Sequence, residues 1–482
     1  MRVSDYFQLG LGQGALDFVD VDVVEDVPVF IDPGALRLQQ GPWAEECRDL
    51  LVSYFAELLE AINKSDTMRV EDLIKSLGSE PNETHLGVST GPSRGRGLGP
   101  IRRRNLVDTL VRSRAAKSGL LQDLEDTALF IDGINKDFVS DMTTSIIRGP
   151  LVRYTQNMAQ VHGIPVSKQW TGLMWDANSL DWVQEEADLP RGPEGKLILV
   201  PRSIVRAHLS VNAWKYYRDY LRPHLMADEI RANTSLVTIL KSGRKRVYAK
   251  DIKKKYGNDK PAIERSTERH PEALDRYRGS ITPANFPPLD HTAFSEQIGS
   301  PAVDYDALID EVAAISPGQG GATSYHRAAM AALTAIFDSS LGNAKPEVPI
   351  HGGRKRIDIR YDNIAPTGFF AWLAQHWPAS TVVVECKNYS GDPANPELDQ
   401  VMGRFSNDRG RIGFLVCRKF EDKALFQQRC RDAAKDGNGF IIALDDDDLR
   451  ELAEWSKSVQ GQNLTRRSAF PLLRARFDDL VG

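Results

Sequence analysis

Two short runs carry residues whose types and spacing could do chemistry together. Arg356-Ile357-Asp358-Ile359-Arg360 sets a carboxylate inside an apolar strand pattern, and Val382-Val383-Val384-Glu385-Cys386-Lys387 ends the next such pattern on Glu-x-Lys. Side chains alternate faces along a strand, so Glu385 and Lys387 point one way and Cys386 points into the opposite layer. If the two strands pair, Asp358 joins Glu385, and two carboxylates and one ammonium converge at one sheet edge. Oxygen ligands of this kind suit a hard cation such as Mg²⁺ or Mn²⁺. The ammonium can hold or polarise a water beside them, which is a set for metal-assisted cleavage of a phosphodiester. Taken singly, each residue reads as surface charge or a salt-bridge partner. Together, at the ends of facing apolar strands, they favour a site, because burying them without ions or partners costs several kcal/mol.

The flanking elements have to hold these residues in place. Ser324 to Ser340 reads as an amphipathic helix with Tyr325, Ala329, Leu333, Ile336 and Phe337 on its apolar stripe. Glu347 to Ile350 reads as a short strand, His351-Gly352-Gly353 as a turn, and Arg354 to Tyr361 as the strand carrying Asp358. Thr381 to Lys387 is an apolar β-branched run, as a central strand requires. Helix over Glu397–Ser406, strand over Ile412–Val416, helix over Glu421–Lys435, strand over Phe440–Leu444 and helix over Asp446–Ser456 follow. Asp445 to Asp448 reads as a cap for that last helix, where negative charge is favourable.

With the residues and their setting in view, Asp358…Glu385-Cys386-Lys387 resembles the core motif of the PD-(D/E)xK nucleases, the restriction-endonuclease-like superfamily. Ile357 stands where that motif usually has Pro, and the resemblance spans Ala322 to Leu452. It implies an α/β fold class: a restriction-endonuclease-like domain at 318–460, a mixed sheet flanked by helices, beside a larger α+β N-terminal region. It implies Asp358, Glu385, Lys387 and Gln400 as catalytic residues, and Mg²⁺ or Mn²⁺ held by Asp358, Glu385 and the backbone carbonyl of Cys386. Gln400 reads equally well as an exposed helical amide. Glu347 stands where relatives sometimes place an extra carboxylate. His326 occupies a helix position where relatives often carry Glu; here a DNA-side or structural role is expected of it rather than a metal role. Asn388 and Tyr389 are candidates for phosphate contact. The activity so implied is a metal-dependent endonuclease, with DNA favoured as substrate, in a restriction or anti-phage defence role. The alternatives are a non-catalytic nucleic-acid-binding sensor on a nuclease fold, or an RNase or toxin-like nuclease. A homo-oligomer or a partner defence protein fits the same reading.

The rest of the chain is organised around these expectations. The 482 residues, 26% charged and 41% hydrophobic, suit a multidomain globular chain. We divide it into an N-terminal α+β domain at 1–165, a middle region at 166–268, a Pro-rich linker at 269–317, the nuclease-like domain at 318–460 and a tail at 461–482. The formal net charge of −5 means that any nucleic-acid surface must be local. Two basic elements answer that need. One is Arg94, Arg96, Arg102, Arg103 and Arg104, in and after a Gly-rich stretch that otherwise reads as a plain flexible loop. The other is Lys241, Arg244, Lys245, Arg246, Lys253, Lys254 and Lys255, with Tyr248 and Tyr256 interleaved, whose competing reading is a solvated helix face. Gly14 to Pro33 shows strand-like alternation with Asp20 and Asp22 on one face, read as a solvated edge in preference to a second metal site. Trp43 to Asn63 reads as a long amphipathic helix, and Pro150 should break a helix begun at Ser140. No apolar run is long enough for a membrane span, the start lacks a signal-peptide pattern, and Cys47, Cys386, Cys417 and Cys430 lack zinc-site spacing; a cytoplasmic protein with reduced thiols is expected. No phosphate-binding G-x-x-x-x-G-K-[ST] loop occurs, which argues against intrinsic ATP hydrolysis.

Overall fold

The architecture is that of a computed structural model, which describes residues 1–78, 81–87, 100–350, 352, 354–407 and 409–482. Five strands near the C-terminus form one mixed sheet. We label its elements in chain order: α1 (Ala322–Phe337), β1 (Leu341–Ile350), β2 (Lys355–Asn363), α2 (Gly368–His376), β3 (Thr381–Lys387), α3 (Asn395–Met402), β4 (Ile412–Cys417), α4 (Lys423–Lys435), β5 (Phe440–Leu444), α5 (Asp446–Ser458) and α6 (Pro471–Val481). The order across the sheet is β1-β2-β3-β4-β5. The first two pairings are antiparallel and the last two parallel. Each parallel pairing needs a crossover, which α3 and α4 supply.

β3 lies at the centre and is buried along its whole length. Its sequence shows why: three successive valines fill both faces, as a strand covered on two sides requires. Burying each contributes roughly 1.5–3 kcal/mol. On one side α1 lays Tyr325, Ala329, Leu333, Ile336 and Phe337 against the sheet, all buried. Phe337 meets Phe370, Phe414 and Phe470 with ring centroids 5.2, 5.6 and 5.4 Å away. Tyr361, fully buried on β2, hydrogen-bonds the Thr334 hydroxyl at 3.1 Å and donates to the Met330 carbonyl at 3.2 Å.

The expected strands and helices are present in this region, with differences at three places. β1 is longer than expected, running from Leu341, with a register irregularity between Gly342 and Lys345. Helix α2 stands between β2 and β3, where no helix was expected. α5 is capped as expected: Asp445 and Asp448 exchange backbone-to-carboxylate bonds of 3.0 Å, and Lys423 sits 2.8 Å from Asp445 and 2.7 Å from Asp448. The stretch read as a tail ends in α6, whose Leu473, Phe477 and Leu480 are buried. Arg476 of α6 lies 3.1 Å from Asp448.

The N-terminal half is mixed in structure. The helix Lys136–Ile146 packs on a two-stranded pairing of Phe30–Ile31 with Val205–Arg206, and helices Pro42–Asn63 and Arg148–His162 pack on that helix in turn. The expected break falls at Ile147, with Pro150 in the first turn of the following helix, where its missing N–H costs nothing. A three-stranded sheet joins Val166–Trp170, Glu186–Gly192 and Gly195–Lys196.

Two expectations need correction here. Only Phe30–Ile31 of the Gly14–Pro33 stretch is strand, and of the two aspartates read as a solvated edge Asp20 is buried while Asp22 stays partly exposed beside the N-terminal ammonium. Asp17, Asp20 and Asp32 are buried, each spent on structural hydrogen bonds. Asp20 accepts from the Ser4 amide and hydroxyl at 2.9 and 2.6 Å. The 269–317 stretch, read as a Pro-rich linker, is packed into the fold: it holds helices Pro271–Gly279, His291–Ile298 and Tyr305–Ala314, with Leu274, Tyr277, Phe294 and Ile309 buried. Proline sets the start of the first of these and does not break it.

The N-terminal half also shares a buried polar seam with the sheet. Asp17 accepts from the Ala344 amide at 3.0 Å and the Tyr154 hydroxyl at 2.8 Å. Arg202 donates to the Thr334 carbonyl at 3.1 Å and lies 3.5 Å from Asp338. Ser203 donates to Asn343 at 2.7 Å, and Asn343 in turn donates to Asp362 at 3.2 Å. Asn343 stands at φ +54, the left-handed region that an Asn tolerates better than most residues, and this turn of backbone accompanies the irregularity in β1.

Candidate active site

Asp358, Glu385, Lys387 and Gln400 come together at one edge of the sheet. The register that pairs Ile359 with Val384 brings Asp358 alongside the end of β3. The Cys386 amide donates to Asp358 Oδ2 at 2.9 Å. Lys387 Nζ donates to Glu385 Oε1 and to Gln400 Oε1, each at 2.9 Å. Gln400 reaches the ammonium because α3, begun by Asn395 and Pro396, runs beside β3 on the crossover to β4. Cys386 is buried in the opposite layer, as strand alternation demands.

Burial shapes the electrostatics. Glu385 is 0% exposed and Lys387 9%. Burial, reinforced by the neighbouring Asp358 charge, pushes the Glu385 carboxyl up to about 7 against the pull of Lys387 and Arg404. For Lys387 burial opposes the charge, but the Glu385 charge and hydrogen bond outweigh it, and the ammonium is held above its ordinary range. Glu385 Oε2 is buried with no hydrogen-bond partner. Arg404 Nε, itself buried and unbonded, faces it at 3.9 Å, beyond hydrogen-bond reach. An orphaned carboxylate oxygen in a dry setting is costly unless a cation or water completes it.

Two further residues join the edge. His326 Nε2 lies 3.1 Å from the Cys386 carbonyl and 3.8 Å from Asp358 Oδ2. Glu347 sits on β1 between Pro346, opposite Ile359, and Val348, opposite Ile357, so it falls beside Asp358. Its φ of +49 is a strained value for a strand residue. Ligand atoms of His326, Glu347 and Asp358 all lie within 4.8 Å of one another. Two carboxylates side by side across a strand pair repel. Arg356, 3.1 Å from Glu347, offsets part of this.

Glu347, Asp358 and the Cys386 carbonyl offer the oxygen donors that a hard divalent cation takes. The fit differs from the expected ligand set in one respect. The tightest donor group is His326, Glu347 and Asp358, while Glu385 is turned toward Lys387 and Arg404. His326 was expected on the DNA side or in a structural role; its ring lies against Asp358 and the carbonyl of Cys386. Arg404 carried no sequence signal at all.

The two basic segments lie apart from this edge in their bonding. Arg94, Arg96 and the expected turn residues His351 and Gly353 lie outside the described residues, as does the side chain of Arg102. Arg103 is half-buried and Arg104 exposed on the helix Pro100–Val111. Lys241, Arg244, Lys245, Arg246, Lys253, Lys254 and Lys255 are exposed, on a hairpin pairing Thr238–Ile239 with Lys245–Arg246 and on the helix Ala249–Tyr256. Lys255 is committed to Glu229 at 2.5 Å. Among the described residues, no hydrogen bond or ion pair links either segment to Asp358, Glu385, Lys387 or Gln400. Sequence reasoning passed over a nearer basic surface: Arg354, Lys355 and Arg356 are exposed on the approach to Asp358. The run Arg-Lys-Arg just before Ile357 was its signal. Asn388 is buried and donates to the carbonyls of Ser316 and Gly318, whereas Tyr389 is exposed.

No helix among the described residues is long and apolar enough to cross a membrane. No curated protein and no solved structure matches the chain. Residues 8–212 match a family described as a domain of unknown function, DUF8370.

Proposed function

We propose that the chain is a metal-dependent endonuclease that hydrolyses phosphodiester bonds, with DNA as the favoured substrate, in a restriction or anti-phage defence role. The observation that carries this reading is the convergence of Asp358, Glu385, Lys387 and Gln400 at one sheet edge, with a buried Glu385 oxygen left without a partner. Asp358, Glu385 and the Cys386 carbonyl would hold Mg²⁺ or Mn²⁺, with Glu347 and His326 adjoining. A cation there supplies charge neutralisation and a more acidic bound water. The chain's own residues do the rest. Lys387, oriented from both sides by Glu385 and Gln400, holds a water or steadies charge developing on the phosphate. Arg354, Lys355 and Arg356 lie where a phosphate backbone would approach the edge. The defence role follows from the superfamily resemblance of Ala322 to Leu452.

A second reading, a non-catalytic nucleic-acid sensor, is favoured by the complete burial of Glu385 beneath Lys387 and Arg404. One experiment separates the two: incubation of the purified chain with plasmid, linear and single-stranded DNA and RNA, with Mg²⁺, Mn²⁺ or EDTA. Metal-dependent cutting that disappears in Asp358→Asn supports the enzyme. Binding without cutting under every metal and substrate supports the sensor.

A further inference from the structure

A second group of ligand-type side chains lies away from the sheet. His224 and Asp228 share one face of the helix Arg222–Arg231, a turn apart. His270 and Glu272 stand at the start of the helix Pro271–Gly279. His224 Nδ1 and His270 Nδ1 both lie 3.2 Å from the same oxygen, Glu272 Oε1. The other nitrogen of His270, Nε2, lies 2.8 Å from Asp228.

Three features set this group apart from ordinary surface ion pairs. The first is spacing. Zinc bonds to imidazole nitrogen and carboxylate oxygen run about 2.0–2.1 Å, so ligand atoms on a tetrahedron stand about 3.3 Å apart. The two N–O separations here match that edge. The second is the carboxylate on the far side of His270: Asp228 lies 2.8 Å from Nε2, the side from which a carboxylate orients a metal-binding imidazole. The third is the frame. Tyr277, on the second helix, packs against Tyr216 and Tyr220 with ring centroids 5.3 and 5.1 Å away. Those tyrosines lie in a π-helical stretch, Tyr216–Leu221, that runs straight into the first helix. Such stretches are rare and often mark functional sites. His270 itself takes the N-cap position without capping its helix, so its ring is left for the carboxylates.

We propose that His224, His270 and Glu272 bind a borderline divalent cation, Zn²⁺ by the chemistry of its donors, with Asp228 positioning His270. Glu272 is half exposed, which leaves a fourth ligand position open to water. Two imidazoles and one carboxylate select zinc over the hard cations suited to the sheet edge. The site joins the two ends of the excursion from His224 to His270, the stretch that carries the whole 241–255 basic segment. It is separate from Asp358 and its neighbours, and stands or falls independently of the nuclease reading.

The test uses the full chain stripped of metal, in an Asp358→Asn background so that the two ligand groups do not compete. It is titrated with Zn²⁺, and with Co²⁺ as a spectroscopic substitute. One equivalent should bind, with the intense visible bands of four-coordinate Co²⁺, and Zn²⁺ should raise the melting temperature. His224→Gln and Glu272→Gln should each abolish the bands and the thermal shift while keeping the parent circular dichroism. Asp228→Asn should weaken affinity about 10–100-fold, as loss of a positioning carboxylate does. Absence of stoichiometric binding by the parent overturns the site, and so does binding that both Gln variants retain. A variant that loses its fold is replaced by His270→Asn, judged on the same bands.

Discussion

Replacing Glu385 with Gln should remove a large part of the pH dependence of stability. The carboxyl is fully buried and pushed up to about 7, from an ordinary value of 4.5, by burial and by Asp358. The folded state therefore binds the proton more tightly than the unfolded state. Its contribution is fully present below pH 4.5 and is lost as pH rises through 7. At ~1.4 kcal/mol per pKa unit, the swing is about 3 kcal/mol between acid and pH 8. Gln keeps an acceptor for Lys387 and has no proton to lose, so Glu385→Gln should lack this decline. Asp362, pushed up to about 6, and Glu125, pushed up to about 8, both chiefly by burial, act alike in parent and variant and cancel in the difference. Lys387 is raised above an ordinary value of 10.5, and its effect falls at higher pH. The assay is urea denaturation of both proteins in EDTA at closely spaced pH values from 5 to 9. The difference in unfolding free energy should move by about 3 kcal/mol toward the variant as pH rises. Added Mg²⁺ should flatten the parent's decline by favouring the carboxylate, and leave the variant unchanged. Parallel stability curves in EDTA would refute the account of Glu385 as a desolvated, proton-hungry group.

Lys387→Ala should bind substrate within a few-fold of the parent and cut it roughly 10²–10⁴-fold more slowly, measured by single-turnover cleavage beside a binding titration; equal cutting places the chemistry elsewhere. Charge reversal at Arg244, Lys245, Arg246, Lys253 and Lys254 should weaken nucleic-acid binding and reduce the slope of log affinity on log salt. An unchanged slope makes that surface a solvated face. Tyr154→Phe removes the 2.8 Å bond to buried Asp17 and should cost about 1–3 kcal/mol in denaturant melts. Asp445→Ala uncaps α5 and leaves Lys423 with Asp448 alone, for about 1–2 kcal/mol by the same measurement.

The strands of the C-terminal sheet were legible because a strand covered on both faces reads as an unbroken apolar run. Thr381–Lys387 and Phe440–Leu444 have the boundaries that the sequence suggests. The grouping of Glu385 with Lys387 was equally local, since a period of two puts them on one face. Gln400 needed the superfamily resemblance, because its reach to Lys387 depends on how the crossover helix packs. Sequence pattern failed at polar residues that fold inward. Asp20 reads with Asp22 as one wet edge, yet Asp20, like Asp17 and Asp32, is buried and satisfied by groups from elsewhere in the fold. The proline-dense stretch reads as a spacer until its short helices are seen to bury Leu274, Tyr277 and Phe294.

The sequence by itself determined which side chains share a face, where the central strands run, and that Asp358, Glu385 and Lys387 could meet. Periodicity carries that information, because it depends only on backbone geometry. The tertiary structure alone decided what each face meets: His326 beside Asp358, Glu347 turned toward it by a left-handed φ, Arg404 over Glu385, and His224 across from His270. Those partners come from strands and helices far apart in the chain. A buried charge is stabilised by whatever lies within a few ångströms of it, not by its sequence neighbours.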